Sequence, residues 1–174
     1  LPEISKEHKS KISNSKKISV PGCYATGVTI LLNPLLKSSI ISDNSRYIIN
    51  AVSGYSGGGK SLISHYNQND KEPFFYYGLN LNHKHLPEIK YHNKLYKTPI
   101  FLPSVSNFYQ GMIVNIPLHE GFFNKRFTFT DIKEALIERY EDSKFVKIKT
   151  YSDSFSEKGF YRPDKVINTN KIYI

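Results

Sequence analysis

Strand-like runs outnumber helical ones in this chain, and few of them are separated by a helix. Lys17–Val20, Arg46–Val52, Phe74–Leu81, Ile100–Val105, Met112–Leu118, Arg126–Phe129 and Phe145–Tyr151 all read as strands, and the chain ends on a strand-like KIYI. Met112, Val114, Ile116 and Leu118 alternate as a half-buried strand requires. Helical patterns are fewer. From Cys23 the apolar residues Tyr24, Val28, Leu31, Leu32 and Leu35 fall near the ~3.6-residue period, with Pro34 and Ser38-Ser39 limiting the run. Leu86–Tyr96 suits a short helix with Pro87 in its first turn. Asp131–Glu141 is the clearest helix, with Thr130 as its expected cap and Ile132, Ala135, Leu136 and Tyr140 on one face. Parallel strands need a crossover connection, usually a helix, between them. The pattern therefore predicts an α+β fold with a mainly antiparallel sheet and helices on one face.

The 174 residues suffice for one domain with its own core, expected over 1–174. No apolar run approaches the ~20 residues of a membrane span, so no membrane partner is expected. The leading segment LPEISKEHKSKISNSKK is polar and basic, without the apolar stretch of a secretory signal. It reads as a connecting arm cut from a longer protein. The single Cys excludes an intrachain disulfide and a multi-thiolate zinc site, and a reducing cytoplasm is the expected compartment. The net charge of +9 invites a nucleic-acid reading. Most basic residues are scattered among acids, however. The heavy use of Lys, Asn, Ile, Ser and Tyr is what an A+T-rich coding sequence imposes, so no nucleic-acid partner is expected.

The chemistry concentrates in four segments. In Pro21-Gly22-Cys23-Tyr24-Ala25-Thr26-Gly27 a strand candidate runs into Pro-Gly, then a thiol, then a helix. A thiol at a helix N-terminus meets free N–H groups and the positive end of the dipole, which favour the nucleophilic thiolate. A lone Cys can also be an inert core residue. The Pro-Gly turn ahead of an apolar helix argues for the nucleophile.

In Asn82-His83-Lys84-His85-Leu86-Pro87-Glu88, His85 and Glu88 are three apart. If Leu86 begins a helix, Glu88 lies beside His85 and can orient its imidazole. His83 and His85 share one face of an extended strand, so either could be the acid–base group, and a metal pair is conceivable. Nothing nearby completes a metal shell, and no metal is expected.

Gly54-Tyr55-Ser56-Gly57-Gly58-Gly59-Lys60-Ser61 satisfies G-x-x-x-x-G-K-[ST], the P-loop pattern, after an apolar strand. The helix that should follow is short, and no later strand ends in a Mg²⁺-binding Asp. A working P-loop is therefore not expected; the loop could still bind an anion through its backbone N–H groups or be a plain flexible loop, with a P-loop-like nucleotide binder as the alternative. The fourth segment, PSVSNFYQGM from Pro103 to Met112, is a turn rich in small and polar residues.

These segments, in this order, resemble the N-acetyl-γ-glutamyl-phosphate reductases of arginine biosynthesis. VPGCYATG looks like that family's active-site Cys segment, and HKHLPEI is similar to its H-[RK]-H-x-P-E-I segment. SGYSGGGK looks like its S-G-x-S-G-x-G loop, which makes the P-loop match coincidental, and PSVSNFYQGMIVNIPL resembles the strand pair that follows. The likeness runs from Leu1-Pro2-Glu3 to VINTNKIYI. Leu31 and Ser106 depart from it, standing where small residues are more common in the family.

The resemblance implies a fold similar to the C-terminal domain of glyceraldehyde-3-phosphate dehydrogenase-like enzymes. It implies a catalytic and dimerisation domain whose NADP-binding Rossmann domain lies outside these residues. Cys23 would attack the acyl phosphate of a small anionic substrate to form a thioester, which NADP(H) reduces to the aldehyde. His85 or His83 would move the proton and Glu88 would orient the imidazole. Ser56, Gly57 and Gly59 would contact phosphate or cofactor, with Lys60 offsetting anionic charge. A homo-oligomer through this domain is implied, formed on a sheet face. Related acyl phosphates, aminoadipyl or aspartyl, are the alternative substrates.

Overall fold

The computed structural model describes residues 1–68, 72–124, 126–149 and 160–174. The polar leader, expected as a connecting arm, contains helix α1 (Lys6–Ser13). The Ser5 side chain caps it by accepting the His8 N–H at 3.0 Å, and Glu7 pairs with Lys11 one turn on. None of its residues is fully buried, but His8 and Ile12 are half-buried, and the His8 ring meets that of His92 edge-on with centroids 6.4 Å apart. Lys17–Val20, expected as a strand, pairs with no strand among the described residues; Ile18 and Val20 remain 61% and 90% exposed.

Helix α2 (Cys23–Lys37) is the centre of the core. Tyr24, Ala25, Val28, Ile30, Leu32 and Leu35 are all buried. Pro34 does not end it. A proline inside a helix removes the N–H that would bond the carbonyl four residues back, here that of Ile30. The Tyr140 hydroxyl, at the end of a later helix, donates to Ile30 O at 2.7 Å and replaces the missing donor.

The main sheet runs β2 (Phe74–Tyr76), β3 (Ile100–Ser106), β1 (Ile48–Gly54), β4 (Met112–Asn115) across its width. The outer pairings, β2 with β3 and β1 with β4, are antiparallel as expected. The central pair is parallel, in register from Ile48 opposite Ile100 to Gly54 opposite Ser106. The stretch between β1 and β3 holds two helices, α3 (Gly59–Gln68) and α4 (Leu86–Asn93), long enough for the crossover that a parallel pair demands. The sheet is therefore mixed, within an α+β architecture.

Ile49, Ala51, Phe101 and Val105 are buried on one face, where Tyr24 of α2 meets Phe101 with ring centroids 5.2 Å apart. Helices α4 and α5 (Phe129–Tyr140) flank α2. The other face is open: Ile48, Phe74 and Tyr76 are 40%, 46% and 53% exposed, beside half-buried Val52, Leu102 and Ile113.

Arg126–Phe129 is not a strand. Thr128, rather than Thr130, caps α5 through a reciprocal box with Asp131. Among the described residues of the strand expected over 145–151, Val146–Lys147 form β5, paired in parallel with β6 (Ile172–Tyr173). Residues 150 and 151 lie outside the described residues. No described helix is long and apolar enough to cross a membrane.

Candidate active site

The site begins where the chain turns into α2. Gly22 is the cap residue, in extended conformation, and Cys23 is the first residue of the helix, an exposed free thiol. Both backbone groups of Gly22 are engaged. Its carbonyl accepts the Thr26 N–H and the Thr26 hydroxyl, each at 2.9 Å. Its N–H donates to both oxygens of Glu88 at 3.2 Å. The turn that presents the thiol is thus tied to α4, where Glu88 sits in the first turn.

His85 occupies the cap position of α4 and is half-buried. A Cβ placed on Gly22 would lie 2.5 Å from His85 Nε2 and 3.0 Å from a Glu88 oxygen. The imidazole therefore packs against the residue immediately before the thiol, and only glycine leaves room for it. Glu88 bonds the Gly22 N–H rather than the imidazole; it acts on His85 through charge. His85 Nδ1 is buried with no hydrogen-bond partner among the described residues. Burial pushes His85 below the ordinary histidine range, Glu88 opposes that shift, and Lys84 reinforces it.

His83 lies behind His85, ring centroids 4.8 Å apart, and packs on Phe101 at 4.9 Å. Its Nδ1 accepts the His85 backbone N–H at 3.2 Å. Burial, with help from His85 and Lys84, pushes it below the usual range as well. No group of three or more His, Cys, Asp or Glu side chains suited to a metal forms among the described residues.

Three hydroxyls that sequence reading passed over complete the floor. The Tyr24 hydroxyl donates to Ser104 O at 3.2 Å and lies close to the Ser53 and Tyr77 hydroxyls. Burial pushes both phenols up, and the nearby Cys23 charge adds to the shift in each. Tyr77 was readable only as part of an aromatic run, and Tyr24 as an apolar helix position. Tyr24 follows the thiol directly in the chain, whereas the placement of Tyr77 depends on the β2–β3 pairing.

The glycine-rich loop forms a 3-10 turn, Tyr55–Gly58, followed at once by α3. The Tyr55 and Ser56 N–H groups donate to Phe108 O and Tyr109 O, and the Gly59 N–H to Ser56 O. These donors are spent within the protein, which is not the open cradle of a P-loop. Neither β3 nor β4 carries the acid a P-loop enzyme needs. Gly57 packs on Ser53, a neighbour of the Tyr24 hydroxyl, so the loop borders the floor of the site. Gly59 has φ +75°, and a Cβ there would meet nothing within 4 Å. Lys60 is exposed at the start of α3. The loop is open to a ligand on that side.

The chain is 43% identical to the N-acetyl-gamma-glutamyl-phosphate reductase of Rhizobium etli, over 87% of its own residues and 51% of that protein. It is 36% identical to the protein of the same name from Trichormus variabilis, over 99% of its own residues and 56% of the relative. It thus spans about half the length of the curated relatives it matches. Among solved structures, aspartate semialdehyde dehydrogenase from Francisella tularensis superposes with a TM-score of 0.67 at 12% identity, covering 99% of this chain and 59% of that one. That likeness establishes the glyceraldehyde-3-phosphate dehydrogenase-like fold. With residues 23–174 matching the profile described as semialdehyde dehydrogenase, dimerisation domain, the chain belongs to that family.

Proposed function

We propose that residues 1–174 form the catalytic and dimerisation part of an NADP-dependent N-acetyl-γ-glutamyl-phosphate reductase of arginine biosynthesis, working in the reducing cytoplasm. The observation that carries this reading is the exposed Cys23 thiol at the head of α2, next to a glycine against which His85 packs. The names of the relatives support the substrate.

His85 takes the thiol proton, and the Cys23 sulfur attacks the acyl carbon of the mixed anhydride. The carbon–oxygen bond to phosphate breaks, inorganic phosphate leaves, and a thioester remains on Cys23. When bound, the nicotinamide supplies a hydride to the thioester carbon. His85 protonates the resulting oxygen, then recovers that proton as the C–S bond breaks and the aldehyde leaves. Glu88 holds the turn at Gly22 and favours the protonated imidazole through its charge. Ser56, Gly57 and Gly59 border the ligand's phosphate groups, and Lys60 offsets their charge. The open sheet face is where two copies meet. Its exposed Ile48, Phe74 and Tyr76 support that reading.

The first half-reaction needs no hydride, so it can be tested on this chain. Incubation with N-acetyl-γ-glutamyl phosphate should leave an acyl adduct on Cys23, seen by peptide mass, with one equivalent of phosphate released. Cys23→Ser should abolish the adduct and His85→Asn should slow it. Faster acylation by aminoadipyl or aspartyl phosphate would transfer the assignment to that substrate. No adduct from any of the three would refute acyl-phosphate chemistry.

A further inference from the structure

The two histidines of the H-x-H segment are not equivalent. His83 Nδ1 accepts the backbone N–H of His85 at 3.2 Å. A ring nitrogen that accepts a hydrogen bond carries no proton, so neutral His83 holds its proton on Nε2. Protonating Nδ1 would set two N–H donors against each other and release the His85 backbone. The ring is enclosed by Phe101, His85, Tyr77 and Tyr24, with centroids at 4.9, 4.8, 5.6 and 6.2 Å. Burial first, then the His85 imidazole and the Lys84 ammonium on its own turn, disfavour a positive charge on it, and the other groups that face it, the Tyr24 and Tyr77 phenols from α2 and from the segment after β2, are held protonated by burial and supply no counter-charge.

His85 has the opposite arrangement. Its Nδ1 is buried and unpartnered among the described residues, Nε2 lies against Gly22, and the Glu88 carboxylate favours its protonated form. One imidazole has its accepting nitrogen occupied by the backbone; the other has both nitrogens uncommitted and lies against the turn that presents the thiol.

We propose that His83 is a positioning residue, fixed as the neutral Nε2–H tautomer with Nδ1 spent on the His85 backbone, so that proton exchange with Cys23 belongs to His85 alone. This rests on the reading of Cys23 and His85 as nucleophile and acid–base partner. The role needs an acceptor one atom beyond Cγ, and any side chain that supplies one serves. Asn does so, because its Oδ1 accepts the N–H two residues on, as in an Asx turn. Phe keeps the ring and removes the acceptor.

The test has two arms on this chain. With ¹⁵N-labelled histidine, long-range ¹H–¹⁵N correlations read the tautomer of each ring. His83 should show the Nε2–H pattern at neutral pH. A proton on Nδ1, or a charged ring at neutral pH, would overturn the proposal. The second arm follows iodoacetamide alkylation of Cys23 against pH. His83→Phe should slow alkylation while keeping the shape of the profile, and His83→Asn should restore the rate to within about twofold of the unsubstituted chain. His85→Asn should change the shape itself. If His83→Asn changes the shape as His85→Asn does, His83 exchanges protons and the proposal is wrong. A profile unaltered by His85→Asn overturns the acid–base reading beneath the proposal, and the tautomer measurement separates that failure from a failure of the His83 assignment.

Discussion

The Tyr140 hydroxyl donates to the Ile30 carbonyl at 2.7 Å, the one carbonyl within α2 that Pro34 deprives of its helical partner. Tyr140 is 4% exposed, and burial holds its phenol protonated and able to donate. Removing the hydroxyl leaves a buried acceptor unsatisfied. Tyr140→Phe should therefore cost about 1–3 kcal/mol in urea unfolding. Pro34→Ala returns an N–H to Ile30, so the penalty should shrink in the Pro34→Ala background. A double-mutant cycle should give a coupling of about 1 kcal/mol. Strict additivity would mean that the hydroxyl does not compensate for the proline.

Gly22→Ala probes the packing of His85 on the turn. The backbone of Gly22, at φ −62° and ψ 144°, suits alanine, so the substitution carries no conformational strain. Its methyl group would instead lie 2.5 Å from His85 Nε2 and force the ring away. The helical content by circular dichroism should be preserved, while Cys23 alkylation at neutral pH falls at least about tenfold as the base is displaced. An unchanged alkylation rate would mean that His85 does not serve the thiol.

Acid should weaken the fold through the buried imidazoles. His83 and His85 both bind protons less readily when folded than the ordinary value of 6.5, chiefly because of burial. Between their folded values and 6.5 the unfolded chain holds more protons, so stability rises with pH through that window and falls as pH drops through it. His8 contributes with the same sign. Urea midpoints measured from neutral pH downward should fall, and the slope should flatten in the His83→Asn/His85→Asn variant. An equal slope in that variant would remove the imidazoles from the account.

The open sheet face should govern association. Val52 and Ile113 are cross-strand partners on it, with exposed Tyr76 at its edge. Tyr76→Asp places a charge in a face otherwise suited to burial, on the side of the sheet opposite the one where Tyr24 packs on Phe101. Sedimentation should show a dimer for the unsubstituted chain and a monomer for the variant, with Cys23 alkylation unaltered. A dimer that survives Tyr76→Asp and Val52→Arg together would place the contact elsewhere.

What was legible of the candidate site lies in short contiguous segments. Pro21-Gly22-Cys23 and His85–Glu88 each announce a turn into a helix, and both helices start where expected. The partner of Glu88 was not readable. Residue spacing suggests the imidazole three positions back, whereas the Gly22 N–H that it accepts arrives from a distant turn. The parallel pairing of β1 and β3 was hidden for a similar reason, since strand direction is set by the path of the connection and not by the strand's own residues. Local capacity also went unseen in α1, where Ser5 and the Glu7–Lys11 pair form a helix that an apolar-period reading ignores. In α5 the choice of Thr128 over Thr130 turned on Asp131, whose reciprocal bond moves the start back by two residues.

The bond between Gly22 and Glu88 spans 66 positions. On a ribosome, the cysteine and the apolar helix behind it emerge long before the segment that braces them. Pairing of β1 waits longer still, until β3 and β4 have been made. Contacts this remote in sequence close slowly, because the loop entropy is lost before any pairing compensates for it. The thiol therefore passes through a nascent stage in which it is accessible but not yet partnered by its histidine. Appearance of the Gly22–Glu88 bond would serve as a kinetic marker, reporting that α4 has docked on the cysteine turn and not merely that α2 has formed.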